Sequence, residues 1–254
     1  MHYPYFLFPF LMPLRVSLEK SYLSAYKVKE NLHFSAINID KPSISIRYYN
    51  NYKLVLSNSH KLGFNNNDKN NFEGLKYKLP KRPYKVWSNK DIMTSDGLGY
   101  IGLINDGMYL VTGFNTWGMT NGILSGIIIK DLVLNKYNRY SELFSPKRKL
   151  KYKDLINYPI NIFSSVKAMI DTKVVKNKTW YSDRVWFGVR DGINVAVYVD
   201  DFGREHVVRN LCPHLKCSLL FNEEEKTWDC PCHGSRFDID GKCIEGPSNY
   251  DISI

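Results

Sequence analysis

Cys212-Pro213-His214-Leu215-Lys216-Cys217 and Cys230-Pro231-Cys232-His233-Gly234-Ser235 are the two stretches that decide how the carboxyl-terminal part of this chain folds. All five cysteines fall between positions 212 and 243, and four of them lie in these boxes, each box holding one histidine. The order Cys-x-His, fifteen intervening residues, then Cys-x-x-His offers two thiolates and two imidazoles from two loops. A pair of irons, one held by sulfur and the other by nitrogen, needs this set. A structural zinc ion, satisfied by four such donors in a tetrahedron, is the alternative, although zinc-finger spacing does not call for the second cysteine of each box or for Gly234-Ser235.

Upstream of the boxes, Val185–Arg190 and Ile193–Val199 flank Asp191-Gly192. Asp-Gly readily takes the positive φ angles of a two-residue hairpin turn, so everything from 179 onward reads as all-β. Residues 138–178 form a connecting segment. They contain the basic stretch Lys147-Arg148-Lys149-Leu150-Lys151, and Ile162, Val166, Met169 and Ile170 recur at the spacing of one short helix. A second helix is expected over 120–134, where Ile123, Leu124, Ile127, Ile128 and Leu132 share a face and Thr120 can cap the start. Gly122 and Gly126 each weaken that helix by up to about 1 kcal/mol against alanine, which implies a close approach to its backbone by a sheet or a ligand. Before it, 109–112 reads as a buried strand and 113–118 as a loop. Residues 1–90 alternate short apolar runs with asparagine-rich turns such as Asn65-Asn66-Asn67-Asp68, the pattern of a mostly antiparallel sheet. The fold class is therefore α+β: a sheet-and-helix domain over 1–137, a linker over 138–178, and an all-β domain over 179–254.

The 254 residues, 44% of them apolar, exclude disorder and collagen-like repeats. The net charge of +10 divides unevenly, with −4 from residue 178 onward and +14 before it. Alanine occurs only at positions 25, 36, 168 and 196 amid abundant Asn and Lys, a bias that an AT-rich genome also produces, and the basic residues form no compact arginine block. Nucleic acid is not the expected partner. No apolar stretch reaches the roughly 18–20 residues of a membrane-spanning helix. The opening 3–14 carries Pro4, Pro9 and Pro13, with neither a basic leader nor a small-residue cleavage site, so it reads as an interior segment, and a cytoplasmic location is expected. Gly97-Leu98-Gly99-Tyr100-Ile101-Gly102 matches G-x-G-x-x-G formally, but Asn105-Asp106-Gly107 makes a turn where the dinucleotide fingerprint requires a helix.

The two boxes resemble those of Rieske two-iron two-sulfur proteins, on the strength of both Cys/His pairs, Cys217 and Cys232, Gly234-Ser235 and Gly246-Pro247. The resemblance implies that Cys212 and Cys230 hold one iron and His214 and His233 the other. It implies a Cys217–Cys232 disulfide joining the two loops, and a Gly246-Pro247 loop covering the cluster. Neutral imidazoles remove negative charge from that iron, which places such centres at about −150 to +300 mV against about −400 mV for plant-type, all-cysteine clusters. Ser235 is expected to donate a hydrogen bond to a cluster sulfide, whereas Phe237 stands where high-potential relatives have a tyrosine; together they imply a potential below the top of that range. Lys216 replaces the usual glycine of the first box. Cys243 reads as a buried apolar residue.

The earlier region resembles the carboxyl-terminal half of flavin-dependent oxidoreductases of the glycine or D-amino-acid oxidase type, in the group that ends in a Rieske domain. The marks are His2-Tyr3-Pro4-Tyr5, Glu19-Lys20-Ser21-Tyr22, Ser95-Asp96-Gly97 and, most specifically, Gly113-Phe114-Asn115-Thr116-Trp117-Gly118-Met119-Thr120-Asn121-Gly122. That resemblance implies FAD contacts from Gly113, Trp117, Gly118, Met119 and Thr120. Such enzymes begin with a dinucleotide-binding βαβ unit that has no counterpart in these residues. A separately encoded FAD-binding half is thus the implied partner, with a gene fragment as the other reading; FAD is expected to be bound, if at all, only together with that half. The expected function is electron transfer through a [2Fe-2S] cluster, as part of an FAD-dependent oxidoreductase acting on a small amine or related substrate. A redox partner protein is a further expectation, and a non-redox zinc-binding module is the alternative.

Overall fold

The computed structural model describes residues 15–29, 32–40, 43–62, 68–77, 82–149, 152 and 179–254. The helix expected over 162–170, the opening proline-rich stretch and the turn at Asn65–Asn67 lie outside them. Described residues within 20–90 and 164–254 make one compact unit, and those within 2–19 and 91–163 make another.

Strand β1 (Val16–Lys27) is buried along almost its whole length, as a strand with both faces covered must be. It lies in a five-stranded sheet, order β2-β3-β4-β1-β5, with β2 (Ser35–Ile37), β3 (Ser45–Tyr49), β4 (Tyr52–Lys61) and β5 (Lys85–Thr94). β2, β3 and β4 pair antiparallel; the β3–β4 connection turns at Asn50, whose φ of 49° suits a residue tolerant of the left-handed region. Helix α1 (Asp68–Tyr77) interrupts what the sequence offered as strands and turns. Phe72 and Leu75, one helical turn apart, bury themselves against Tyr22. Two apolar anchors in a ten-residue, mostly polar helix are too sparse to set a period in the sequence.

In the second unit β6 (Tyr100–Asn105) and β7 (Met108–Thr112) form an antiparallel hairpin. Residues 97–102 therefore run into a strand and a turn at Gly107 (φ 74°), as their surroundings predicted. β7 is less buried than expected: Met108 and Val111 are exposed, because a two-stranded ribbon leaves one face open. Helix α2 (Gly118–Val133) starts two residues before Thr120, with Trp117 at its N-cap. Ile128 packs on Ile101 and Phe144, supported by Leu124 and Leu132. A Cβ added at Gly122 or Gly126 would meet nothing within 4 Å, so no described part of the chain makes the close approach inferred there. Arg148 locks this unit internally: it pairs with Asp96 at 2.9 Å, donates to the Leu98 and Gly99 carbonyls, and lies 3.7 Å above the Tyr100 ring.

From residue 179 the described chain is all β. β8 (Thr179–Ser182), β9 (Val185–Arg190), β10 (Ile193–Val199) and β11 (Glu205–Arg209) form one sheet, order β11-β10-β9-β8. β12 (Leu220–Asn222), β13 (Thr227–Asp229), β14 (Arg236–Phe237) and β15 (Cys243–Glu245) form another. The β9–β10 turn is the expected Asp191-Gly192, with φ of 52° and 77°. Alternation along β10 sends Ala196 and Tyr198 into one cluster and Val195 and Val197 into another, so both faces are covered. The larger core stacks Tyr198 on Phe221 (4.7 Å between centroids) and Phe221 against Trp228 (4.6 Å), and Trp228 is wholly buried. Cys212, Cys217, Cys230 and Cys232 belong to this same core.

Candidate metal centre

The two boxes are built alike. In the first, the Cys212 N–H donates to the Cys217 carbonyl (2.8 Å) and the Lys216 N–H donates back to the Cys212 carbonyl (2.9 Å); in the second, the Cys230 N–H donates to Ser235 (2.8 Å) and the Gly234 N–H to Cys230 (2.9 Å). Each loop closes through a residue in the left-handed region, Lys216 at φ 59° and Gly234 at φ 78°. Lys216 thus holds the shape that glycine gives without strain, and the substitution leaves the closing bonds of the loop intact. The second box is the loop of a hairpin, with Asp229 opposite Arg236 at its base.

The loops meet. A disulfide joins Cys217 to Cys232, with 6.5 Å between their Cα atoms, and the sulfurs of Cys217, Cys230 and Cys232 lie within 4.8 Å of one another. The Cys212 and Cys230 thiols hydrogen-bond to each other. That bond pulls the Cys212 thiol down and pushes Cys230 up, burial adding to the rise, so the pair releases its first proton easily. The His214 and His233 rings sit edge to face, 4.9 Å between centroids, and the Nδ1 atom of each is buried. Burial lowers both imidazoles, His233 to about 4 with His214 contributing, which keeps them neutral at pH 7, the form that binds metal. Two soft sulfurs, one of which deprotonates readily, beside two neutral imidazoles, are the donors that a sulfur-and-nitrogen-ligated iron pair requires.

The surrounding residues were expected to shape the site. Ser235 is wholly buried; its hydroxyl accepts from the Ser248 N–H (2.9 Å) and donates to the Cys212 sulfur. The Ser248 bond ties the segment after Gly246-Pro247 to the second box. Phe237 fills the core and brings no hydroxyl. Cys243 is half-buried rather than buried, its sulfur 3.2 Å from the Ser248 carbonyl. Sequence reasoning gave no role to Lys20 and Lys90, which reach the second box from β1 and β5. A lysine inside a buried strand such as β1 was the available signal.

Of the residues linked to flavin, Gly113 (φ 73°) begins a strained turn that continues through Asn115 (51°) and Thr116 (69°). A Cβ at Gly113 would come within 2.5 Å of Thr94. The Asn115 side chain braces the turn, accepting from the Thr94 N–H (2.7 Å) and donating to the Gly113 carbonyl (2.8 Å). Trp117 and Met119, at the start of α2, are exposed.

Residues 172–253 match the Rieske [2Fe-2S] domain family. The carboxyl-terminal part of the chain is thus a Rieske domain; it binds a [2Fe-2S] cluster, and its work is electron transfer. Over 97% of its length the chain is 32% identical to a Bacillus subtilis protein, YhfW, which bears the name of a Rieske 2Fe-2S iron-sulfur protein, and it covers 52% of that protein. It is 31% identical over 64 residues to the cytochrome b6-f complex iron-sulfur subunit 2 of Synechocystis, covering 25% of this chain and 36% of that one. This chain therefore spans about half, or less, of these relatives. The crystal structure of glycine oxidase from Geobacillus kaustophilus aligns with 54% of this chain and 40% of that one, at 20% identity and a TM-score of 0.44. Among the described residues no helix is long and apolar enough to cross a membrane.

Proposed function

We propose that this chain carries single electrons through a [2Fe-2S] cluster held by Cys212 and Cys230 on one iron and by His214 and His233 on the other, in the service of an FAD-dependent oxidoreductase acting on a small amine or related substrate. The observation that carries the reading is the meeting of two loops of the same hydrogen-bonded design, thiol to thiol and imidazole to imidazole, at the edge of one aromatic core. When bound, such a cluster gains and loses one electron at a time.

The protein residues have separable tasks. Cys212 and Cys230 supply thiolates; His214 and His233 supply neutral nitrogens and so lower the negative charge on their iron. Ser235 accepts from the Ser248 N–H and lowers the Cys212 thiol through a hydrogen bond. The Cys217–Cys232 bridge holds the loops in register, and the Tyr198–Phe221–Trp228 stack keeps water from the sulfur side. The flavin part of the reading is supported by the Gly113-to-Gly122 sequence and by its strained turn leading into exposed Trp117 and Met119. Strain of this kind persists where surrounding structure enforces it, commonly at ligand sites.

Protein purified anaerobically or reconstituted with iron and sulfide is expected to be coloured, with two irons and two acid-labile sulfides per chain and a paramagnetic signal on one-electron reduction. Replacing His214 by Cys adds a thiolate and is expected to lower the potential and alter that signal; an unchanged signal overturns the ligand assignment. Colourless protein with one zinc and no sulfide overturns the redox reading.

A further inference from the structure

Two lysines of the five-stranded sheet grip the second cluster loop at both ends. Lys20 on β1 and Lys90 on β5, neighbouring strands, are 3% and 1% exposed, and they belong to the same compact unit as the Rieske domain. The Lys20 ammonium lies 2.9 Å from Asp229, the residue immediately before Cys230. The Lys90 ammonium donates to the carbonyl of Gly234, the residue immediately after His233, and also lies 3.2 Å from Glu245, which leads into Gly246-Pro247. The fit is tight as well as polar: a Cβ on Gly234 would stand 3.1 Å from Lys90 Cδ and 3.2 Å from Leu62 Cδ1.

The charges around this grip balance. Lys20, Lys90 and Arg236 face Asp229, Glu225 and Glu245, with Arg236 2.8 Å from Glu225 and 3.2 Å from Asp229. Ser88, two residues before Lys90, donates to Glu225. Replacing buried ion pairs by apolar side chains is often neutral or stabilising, so stability alone does not account for two lysines placed here. Reduction of a cluster adds one negative charge, and a fixed cation beside the loop favours that state.

On the ligand assignment made above, we propose that Lys90, assisted by Lys20, is a positioning residue for the cluster: it fixes the Cys230–His233 loop through the Gly234 carbonyl and holds the reduction potential up with its charge. Burial lowers Lys90 to about 8 against the pull of Glu245 and Asp229, which leaves it protonated at pH 7. The sheet that resembles the substrate side of a flavoprotein thereby sets the redox poise of the domain that follows it.

The test is a redox titration of the full-length reconstituted protein, followed by its paramagnetic signal, in wild type, Lys90→Met, Lys90→Arg and Lys130→Met, Lys130 being exposed in the other unit. Lys90→Met is expected to keep its iron and sulfide, but to show a roughly tenfold lower reduced-to-oxidised ratio at the wild-type midpoint. Lys90→Arg should restore most of that ratio, and Lys130→Met should match wild type. An unchanged midpoint in Lys90→Met overturns the proposal, as does a fall in Lys90→Arg equal to that in Lys90→Met. Should Lys90→Met fail to assemble a cluster, Lys20→Met decides, since loss of the assisting cation beside Asp229 must lower the midpoint; an unchanged or raised value overturns the proposal. Wild-type protein that takes up no iron-sulfur centre removes the ligand assignment and this inference together, whereas a normal wild-type signal with an unmoved Lys90→Met midpoint removes only this one.

Discussion

On the proposed ligand assignment, the buried Ser235 hydroxyl, which accepts from the Ser248 N–H and lowers the Cys212 thiol by hydrogen bonding, would stabilise negative charge on that sulfur, which is larger in the reduced state. A hydrogen bond to a charged group contributes about 1.5–3 kcal/mol, and only the difference between oxidation states reaches the potential. If that difference is about tenfold in the equilibrium, Ser235→Ala should lower the midpoint on the order of 60 mV. The cluster content should remain unchanged, because alanine is smaller at a fully buried position. Protein-film voltammetry of the two forms measures the shift; equal midpoints would mean that the hydroxyl serves only to order the Ser248 segment. Ser235 was legible in the sequence because it follows His233 at a fixed offset. Its bond from Ser248, thirteen residues on, was not.

At the scale of elements, local chemistry was readable and distant partnership was not. The Asp191-Gly192 hairpin and the two boxes carry their geometry in a few adjacent residues, so turn rules and donor spacing recovered them. Helix α1 escaped because Phe72 and Leu75 find their partner, Tyr22, some fifty residues back along the chain. The lysine contacts escaped for the same reason, being 209 residues apart for Lys20 and Asp229 and 144 for Lys90 and Gly234. The twin design of the loops gives a prediction with two signs. Lys216 holds a left-handed backbone at a cost of about 1–2 kcal/mol; glycine there avoids that cost but loses more chain entropy on folding, about 0.5–1 kcal/mol. Lys216→Gly should therefore stabilise the protein by about 0.5–1 kcal/mol. Gly234→Ala should destabilise it, because its φ of 78° is unfavourable for alanine and its Cβ would press on Lys90 and Leu62. Chemical denaturation of the holo forms distinguishes them, and a destabilised Lys216→Gly would show that the lysine side chain contributes something the glycine comparison leaves out.

For the whole molecule the decisive quantity is what flavin needs from a protein. Tight binding of a dinucleotide draws on a strand-to-helix turn whose glycines let the pyrophosphate approach a helix N-terminus. The formal fingerprint at Gly97–Gly102 instead enters strand β6 and the β6–β7 hairpin. On the proposed flavin contact, the Gly113-to-Gly122 turn would meet the ring end of the cofactor, and a contact restricted to one end would forgo the pyrophosphate's share of the affinity. The 254-residue chain, reconstituted with its cluster, is therefore expected to leave added FAD almost entirely free in equilibrium dialysis at micromolar concentrations. Adding a polypeptide that carries a G-x-G-x-x-G βαβ unit of the oxidase type should bring flavin and this chain into one complex on gel filtration, with the flavin absorbance co-eluting with the iron-sulfur absorbance. Stoichiometric retention of FAD by this chain alone would mean that its own residues build a pyrophosphate site, and the assignment of flavin binding to a separate half would fall. Co-elution without flavin, by contrast, would support the partnership while moving the cofactor's ring away from Trp117 and Met119.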